Sequence, residues 1–234
     1  GKGKAVVNLI NLDKDERVNS ILSVKDFNEG YLMFCTKEGI LKKSDIKLYT
    51  KPRKGGINAI NLDENDEVVN VLYVKGNENI IIGTYEGIGM RFNEKDIRDT
   101  GRNSAGVIGI RLTEKDYVIG MEKALENSSL FTVTENGFGK RTEIDDYRLI
   151  RRGGKGVLNI KTKYLYEDSR NEGVVGVKNV FDDDELMFIT LKGITIRVKV
   201  NQFRDIGRNT SGVRLIRLDE NDKVVSVAKV VGEE

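Results

Sequence analysis

The residues best suited to chemistry are arginines and lysines set among glycines at repeating intervals. Four segments carry them: Lys47–Gly56, Arg98–Gly106, Arg148–Gly156 and Arg204–Gly212. Their cores read Lys51-Pro52-Arg53-Lys54-Gly55-Gly56, Gly101-Arg102-Asn103-Ser104-Ala105-Gly106, Arg151-Arg152-Gly153-Gly154-Lys155-Gly156 and Gly207-Arg208-Asn209-Thr210-Ser211-Gly212. Arg102, Arg152 and Arg208 each stand four residues before the closing glycine, and Arg98, Arg148 and Arg204 stand eight before it. Glycine lets backbone N–H groups close on an oxyanion, and arginine adds a planar, charged, bidentate fork. The chemistry on offer is phosphate binding. The plainer reading of any one segment is a turn with solvated arginine. Four in phase, with arginine at fixed offsets, favour phosphate.

Other chemistries lose their reagents. The 234 residues include 39 Lys and Arg, 37 Asp and Glu, one Cys, one Pro, and no His or Trp. Without histidine there is no Ser-His-Asp or Cys-His catalysis and no HExxH or Cys/His zinc site. Cys35 lies in the apolar run Tyr31-Leu32-Met33-Phe34-Cys35-Thr36 and reads as a buried structural thiol. A single cysteine allows no intrachain disulfide, which fits a reducing compartment. No stretch approaches the ~20 apolar residues of a membrane span, and the Gly1-Lys2-Gly3-Lys4 start has no signal-peptide core. The expected class is a soluble intracellular protein. Gly101–Gly106 lacks the Gly-Lys-Ser/Thr ending of a nucleotide loop, and Asp63-Glu64-Asn65-Asp66 lacks the glycine and distal glutamate of an EF-hand. Phe181-Asp182-Asp183-Asp184-Glu185 and Asp145-Asp146 read as solvated turns, and Phe27, Phe92, Phe203 and Tyr147 as packing. No metal and no cofactor is expected.

The elements that position the basic segments form a repeat. Gly56-Ile57-Asn58-Ala59-Ile60-Asn61-Leu62-Asp63 recurs as Gly106–Leu112 and Gly212–Asp219, more loosely as Gly156–Lys161, and earlier in Asn8–Asp13. Leu12, Leu62 and Leu112 are spaced by 50 residues, and Gly106, Gly156 and Gly212 by 50 and 56, which points to an insertion near Leu165–Gly173. A second element alternates with the first: Thr36-Lys37-Glu38-Gly39-Ile40, Thr84-Tyr85-Glu86-Gly87-Ile88, Thr134-Glu135-Asn136-Gly137-Phe138 and Thr190-Leu191-Lys192-Gly193-Ile194. An Asn-Gly or Glu-Gly pair between short β-type runs predicts a hairpin. Four residues after each glycine stands a cation: Lys43, Arg91, Arg141 or Arg197. The first element predicts two more strands, Ile57–Leu62 and Val68–Val74, around the acidic turn Asp63–Asp66.

Each unit of about 50 residues thus holds four short strands, the content of one propeller blade. Five first-half and four second-half units are present, and residues 1–234 read as one all-β domain of repeats. In-phase loops would occupy equivalent blade edges. Basic groups would then trace a rim and acidic turns would gather elsewhere, so the net charge of +2 would be a cancellation between two populations.

The in-phase loops, the Arg151–Gly156 run and the Gly-Arg-Asn-Ser/Thr-Ala/Ser-Gly-Val copies resemble the C-terminal domain of DNA gyrase A, over essentially the whole chain. The resemblance implies a β-propeller-like β-pinwheel of about five to six four-stranded blades, with strands exchanged between neighbours. It implies a non-catalytic domain that wraps double-stranded DNA around a basic rim, with little sequence preference. The type II topoisomerase then introduces negative supercoils using ATP. The implied partners are the rest of gyrase A and the ATPase gyrase B, in a cytoplasmic, nucleoid-associated setting with no membrane. The family's signature box, Gln-Arg-Arg-Gly-Gly-Lys-Gly, is matched by Arg151–Gly156 in its last six residues, but Ile150 stands where glutamine is expected. Its late position fits an internal copy, with the true box in a first blade upstream of Gly1 and the wheel incomplete. The DNA-contacting set expected is Lys51, Arg53, Lys54, Arg98, Arg102, Arg148, Arg151, Arg152, Gly153, Gly154, Lys155, Gly156, Arg204 and Arg208, with the hairpin cations Lys43, Arg91, Arg141 and Arg197. Two other readings stay open: the related C-terminal domain of topoisomerase IV, and a protein-interaction propeller. The latter is disfavoured by an aromatic content of 7%.

Overall fold

The structure, a computed structural model, describes residues 12, 16–52 and 55–230. In chain order its strands are β1 (Tyr31–Thr36), β2 (Ile40–Asp45), β3 (Val68–Val74), β4 (Asn79–Thr84), β5 (Ile88–Asn93), β6 (Val107–Ile108), β7 (Val118–Lys123) and β8 (Ser129–Thr134). They continue with β9 (Phe138–Glu143), β10 (Val157–Leu158), β11 (Val174–Val180), β12 (Glu185–Thr190), β13 (Thr195–Lys199), β14 (Val213–Arg214) and β15 (Val224–Val230).

Each Thr-x-x-Gly element makes a hairpin for a local reason. The glycine amide donates to the threonine carbonyl (Gly39 to Thr36, 3.0 Å; Gly87 to Thr84, 3.1 Å). Gly39, Gly87, Gly137 and Gly193 all have positive φ, between 77° and 102°, where a side chain would be strained. In three of the four, the threonine hydroxyl also accepts the amide of the residue after the glycine, as Thr84 Oγ1 does from Ile88 at 3.1 Å. The resulting antiparallel hairpins are β1–β2, β4–β5, β8–β9 and β12–β13.

Two further strands complete each sheet, and they come from different places. The long strand after each hairpin folds back onto its first strand: β3 on β1, β7 on β4, β11 on β8 and β15 on β12. These strands pack against one another in sequence, β3 on β7, β7 on β11 and β11 on β15, so they line the inner side of the array. Small residues make that approach possible: a Cβ on Gly176 would fall 2.1 Å from Val227 Cγ1. The short strands are exchanged. β6 follows the second hairpin yet pairs with β2 of the first, β10 follows the third yet pairs with β5, and β14 follows the fourth yet pairs with β9. The sheets therefore read β3-β1-β2-β6, β10-β5-β4-β7, β11-β8-β9-β14 and, three-stranded, β13-β12-β15.

Buried apolar residues lie between sheets. Met33, Ile82, Met90, Phe92, Ile97, Ile110 and Met121 join the first two blades, and Phe131, Phe188, Val200 and Val227 join the last two. Leu130, Tyr147, Ile160 and Val177 form the core of the middle junction. Exchange and shared cores together make each blade depend on its neighbour.

One expected strand is corrected. Residues 57–62 form no strand, and the copies at 107–108, 157–158 and 213–214 are only two residues long. Each copy turns after two residues because its next amide bonds the hairpin glycine carbonyl: Gly109 to Gly39 at 2.8 Å, Asn159 to Gly87 at 2.8 Å and Leu215 to Gly137 at 2.9 Å. No edge among the described residues meets 57–58. The early repeat copy at 8–13 lies, apart from Leu12, outside the described residues.

Candidate nucleic-acid interface

The three basic segments from Arg98, Arg148 and Arg204 each run along the outer edge of the blade before them. Backbone bonds start them there: Thr100 N to Lys43 O at 2.8 Å, Ile150 N to Arg91 O at 2.8 Å and Ile206 N to Arg141 O at 2.9 Å. The closing glycine then drops the chain into the exchanged strand. Gly106, Gly156 and Gly212 have φ of +97°, +74° and +67°. A Cβ on Gly212 would meet Gly139 O at 2.2 Å, and one on Gly156 would meet Gly89 O at 2.8 Å. These closing glycines serve close packing against the blade. Gly153 also has positive φ, and its amide bonds Gly109 O at 2.5 Å, while Gly154 O accepts the amide of Arg111 at 2.9 Å.

Successive loops are chained to each other. Asn61 N donates to Ser104 O at 3.1 Å, and Lys161 N to Thr210 O at 2.9 Å, as Arg111 does to Gly154. The arginines four before the closing glycine add a second link. Arg102 Nη1 donates to Asn58 O at 3.3 Å. Arg152 donates through Nε to Asp96 O at 3.0 Å and through Nη1 to Ile108 O at 3.5 Å. Arg208 donates through Nε to Asp146 O at 2.8 Å and through Nη1 to Leu158 O at 2.9 Å. Asn58, Ile108 and Leu158 are equivalent positions, each two residues past the closing glycine of the preceding segment. The fixed offset thus reflects a carbonyl staple from each loop to the one before.

The hairpin cations are placed elsewhere than on a free rim. Lys43, its side chain 8% exposed, lies 3.8 Å from the wholly buried carboxylate of Glu94. Arg91 pairs with Asp145 at 3.0 Å, and Arg141 with Asp182 at 2.6 Å and with Asp205. Arg197 pairs with Glu185 across its own hairpin. Each is neutralised where it stands, and the first three are largely covered, which leaves them little charge to offer an external anion.

What remains is a set of exposed cations. Lys51, Arg98, Arg148, Arg151, Lys155 and Arg204 are exposed and, among the described residues, form no ion pair or side-chain hydrogen bond. All sit on the basic segments. Arg53 and Lys54 lie outside the described residues. The acidic turns occupy another place. Asp66, Asp116 and Asp222 accept amides from the hairpin turns at Glu38, Glu86 and Lys192, at 3.0, 2.9 and 3.1 Å. Of these cations, the five from Arg98 to Arg204 thus follow outer edges, and these acids close hairpin tips.

Sequence reasoning missed two arginines. Arg170, on the inserted segment, and Arg214 both stack on Phe138, at 4.5 and 4.8 Å from the ring, and Arg170 Nη2 donates to Gly212 O at 2.9 Å. The insertion has no counterpart in other repeats, so periodicity could not reveal Arg170. Cys35 is buried, its Sγ lies 3.6 Å from Thr36 O, and burial pushes its thiol up, as a structural thiol requires.

Blades built on Thr-x-x-Gly hairpins, joined by exchanged outer strands and edged by chained basic loops, define a propeller-like all-β repeat domain. The family model described as DNA gyrase C-terminal domain, beta-propeller, matches residues 1–25, 30–75, 78–124, 128–178 and 184–230, and the chain belongs to that family. It is 44% identical over 98% of its length to the DNA gyrase A of Clostridium acetobutylicum, and 46% identical over 98% to that of Halalkalibacterium halodurans. It spans 27% of the length of each. Among solved structures it is similar to a gyrase A C-terminal domain (TM-score 0.86, 29% identity, 98% of this chain and 76% of that one). It is also similar to a topoisomerase IV C-terminal domain (TM-score 0.89, 27% identity, 97% and 70%).

Proposed function

We propose that this chain is the non-catalytic DNA-wrapping domain of gyrase A, part of a type II topoisomerase, and that it holds duplex DNA along its outer loops. The observation that supports this reading most is the placement of Lys51, Arg98, Arg148, Arg151, Lys155 and Arg204, exposed and without acidic partners, on loops chained edge to edge. Bending a duplex over 20–30 base pairs costs about 1–6 kcal/mol, and several phosphate contacts must offset it. Such contacts position the duplex and carry no base information. Arg102, Arg152 and Arg208 hold the loops in register for the free cations. Gly153, Gly154 and Gly156 shape the same loop. Residues 1–234 act as one domain. The partners are double-stranded DNA, the remainder of gyrase A and gyrase B, in a cytoplasmic, nucleoid-associated setting. The cleavage and ATP chemistry belongs to those other regions, and this domain needs no cofactor. The likeness to a topoisomerase IV domain favours a second reading with the same DNA-binding surface and a decatenating enzyme.

The test is a linking-number assay. Relaxed circular DNA is treated with a nicking-closing topoisomerase in the presence of the chain. Wrapping predicts a shift of linking number with one sign that saturates with protein. No shift at saturating binding defeats wrapping.

A further inference from the structure

On the second strand of each hairpin one position recurs, and in the first three blades it lies beneath the loop that covers the blade. It is Lys42, Met90, Lys140 and Ile196, paired across the hairpins with Phe34, Ile82, Thr132 and Phe188. Two residues on stand Ser44, Phe92, Thr142 and Val198. Polar and apolar pairs therefore alternate from blade to blade. The covering loops change in step. Gly101-Arg102-Asn103-Ser104 lies on the Lys42 blade and Gly207-Arg208-Asn209-Thr210 on the Lys140 blade, whereas Arg151-Arg152-Gly153-Gly154 lies over Met90.

Both lysines are 1% exposed, and an ammonium is costly to bury unless its donors are met. Lys140 Nζ donates to Gly207 O and Thr142 Oγ1, both at 2.8 Å, and Thr142 Oγ1 passes a bond on to Ile206 O at 2.6 Å. Lys42 Nζ donates to the carbonyls of Arg102 and Ala59. Each thus grips the covering loop by its backbone, and Lys42 ties that loop to the preceding one. Burial, with Arg208 close by and Asp146 opposing, brings Lys140 down to about 7. Burial, with Arg102 close by, brings Lys42 down to about 8. At the third such site a methionine replaces the lysine, and Met90 Sδ lies 3.7 Å from where a Cβ on Gly154 would be.

We propose that Lys42 and Lys140 are positioning residues that clamp the two Gly-Arg-Asn loops to the outer edge by their carbonyls, holding the DNA-facing cations in place without touching phosphate. The consequence for DNA rests on the proposed wrapping function, and the clamp itself does not.

Lys42→Met and Lys140→Met borrow the side chain of the middle blade. Hydrogen exchange on the whole chain should show amides 206–212 exchanging about tenfold or more faster in Lys140→Met, with 150–156 unchanged, and 100–106 responding to Lys42→Met alone. Duplex affinity should fall several-fold in each, with the salt slope kept. Unchanged exchange in the covering loop, or a uniform rise across the molecule, overturns the clamp. A parent that fails to bind DNA would defeat the wrapping function and leave the exchange pattern to decide the clamp. Should a variant not fold, the parent alone decides. Slowly exchanging Nζ protons on Lys42 and Lys140, in contact with loops 100–106 and 206–212, are expected. Solvent-averaged ones overturn the proposal.

Discussion

Replacing Arg208 separates a staple from a phosphate contact. Its Nε and Nη1 donate to Asp146 O at 2.8 Å and Leu158 O at 2.9 Å, and its guanidinium lies 5.8 Å from the Tyr147 ring. Hydrogen bonds to a charged group contribute about 1.5–3 kcal/mol each, and partial exposure places these at the low end. The ring contact adds about 0.5 kcal/mol. Arg208→Ala should therefore cost about 3.5 kcal/mol in urea unfolding, with the denaturant slope unchanged. Arg208→Lys keeps the charge but not the planar fork, so it should recover less than half. Amides 158–161 should lose exchange protection first, because the staple ends there. A phosphate fork predicts the reverse. The midpoint would hold, and the slope of log affinity against log salt would fall by about 0.9. That pair of results would refute the staple.

Other consequences follow from the same contacts. Gly212→Ala places a Cβ 2.2 Å from Gly139 O at a φ of +67°, so β14 should leave β9, at a cost of about 2 kcal/mol or more by urea melts. Glu94→Ala leaves the amides of Gly76 and Glu78 unbonded, at present 2.7 and 2.9 Å from Oε1, and Lys43 without its carboxylate; about 3–5 kcal/mol should be lost by the same measure. Stability should rise with pH from about 7 towards 9.5 through Lys140. The folded lysine releases its proton near 7, and the unfolded one keeps it to an ordinary value of 10.5. In that window the unfolded chain binds more protons, so each pH unit adds up to about 1.4 kcal/mol. Tyr147, also close to Arg208, is held above its ordinary range by burial. Lys42, brought down to about 8, acts in the same direction, so unfolding of Lys140→Met at pH 7, 8 and 9 should lose the Lys140 share of the rise and keep that of Lys42.

The hairpins were legible in the sequence because Thr-x-x-Gly is a local device: its hydrogen bonds and its positive-φ glycine lie within five residues. Val68–Val74 was legible for a similar reason, as an apolar run after an acidic turn. Strand exchange showed less, since β6, β10 and β14 contribute only two residues each, to a partner one blade back. The same non-locality explains the failure at 57–62. At the site, the offsets of Arg102, Arg152 and Arg208 were plain, but arginine serves carbonyls and phosphates alike, so spacing did not assign the acceptor. Lys43, Arg91 and Arg141 recurred for an internal reason, the ion pairs between blades. Lys42 and Lys140 escaped because their counterparts are Met90 and Ile196, which leaves no periodic pattern to find.

The central claim is that free cations on chained loops hold the DNA backbone, and a salt titration tests it directly. Duplex binding is measured across salt concentrations for the parent and for the combined Arg148→Ala, Arg151→Ala, Lys155→Ala variant. The parent should show a steep negative log–log slope, the variant a slope shallower by about 2 to 3 with an unchanged melting temperature. A parental slope near zero, or one that survives the triple substitution intact, would contradict the account.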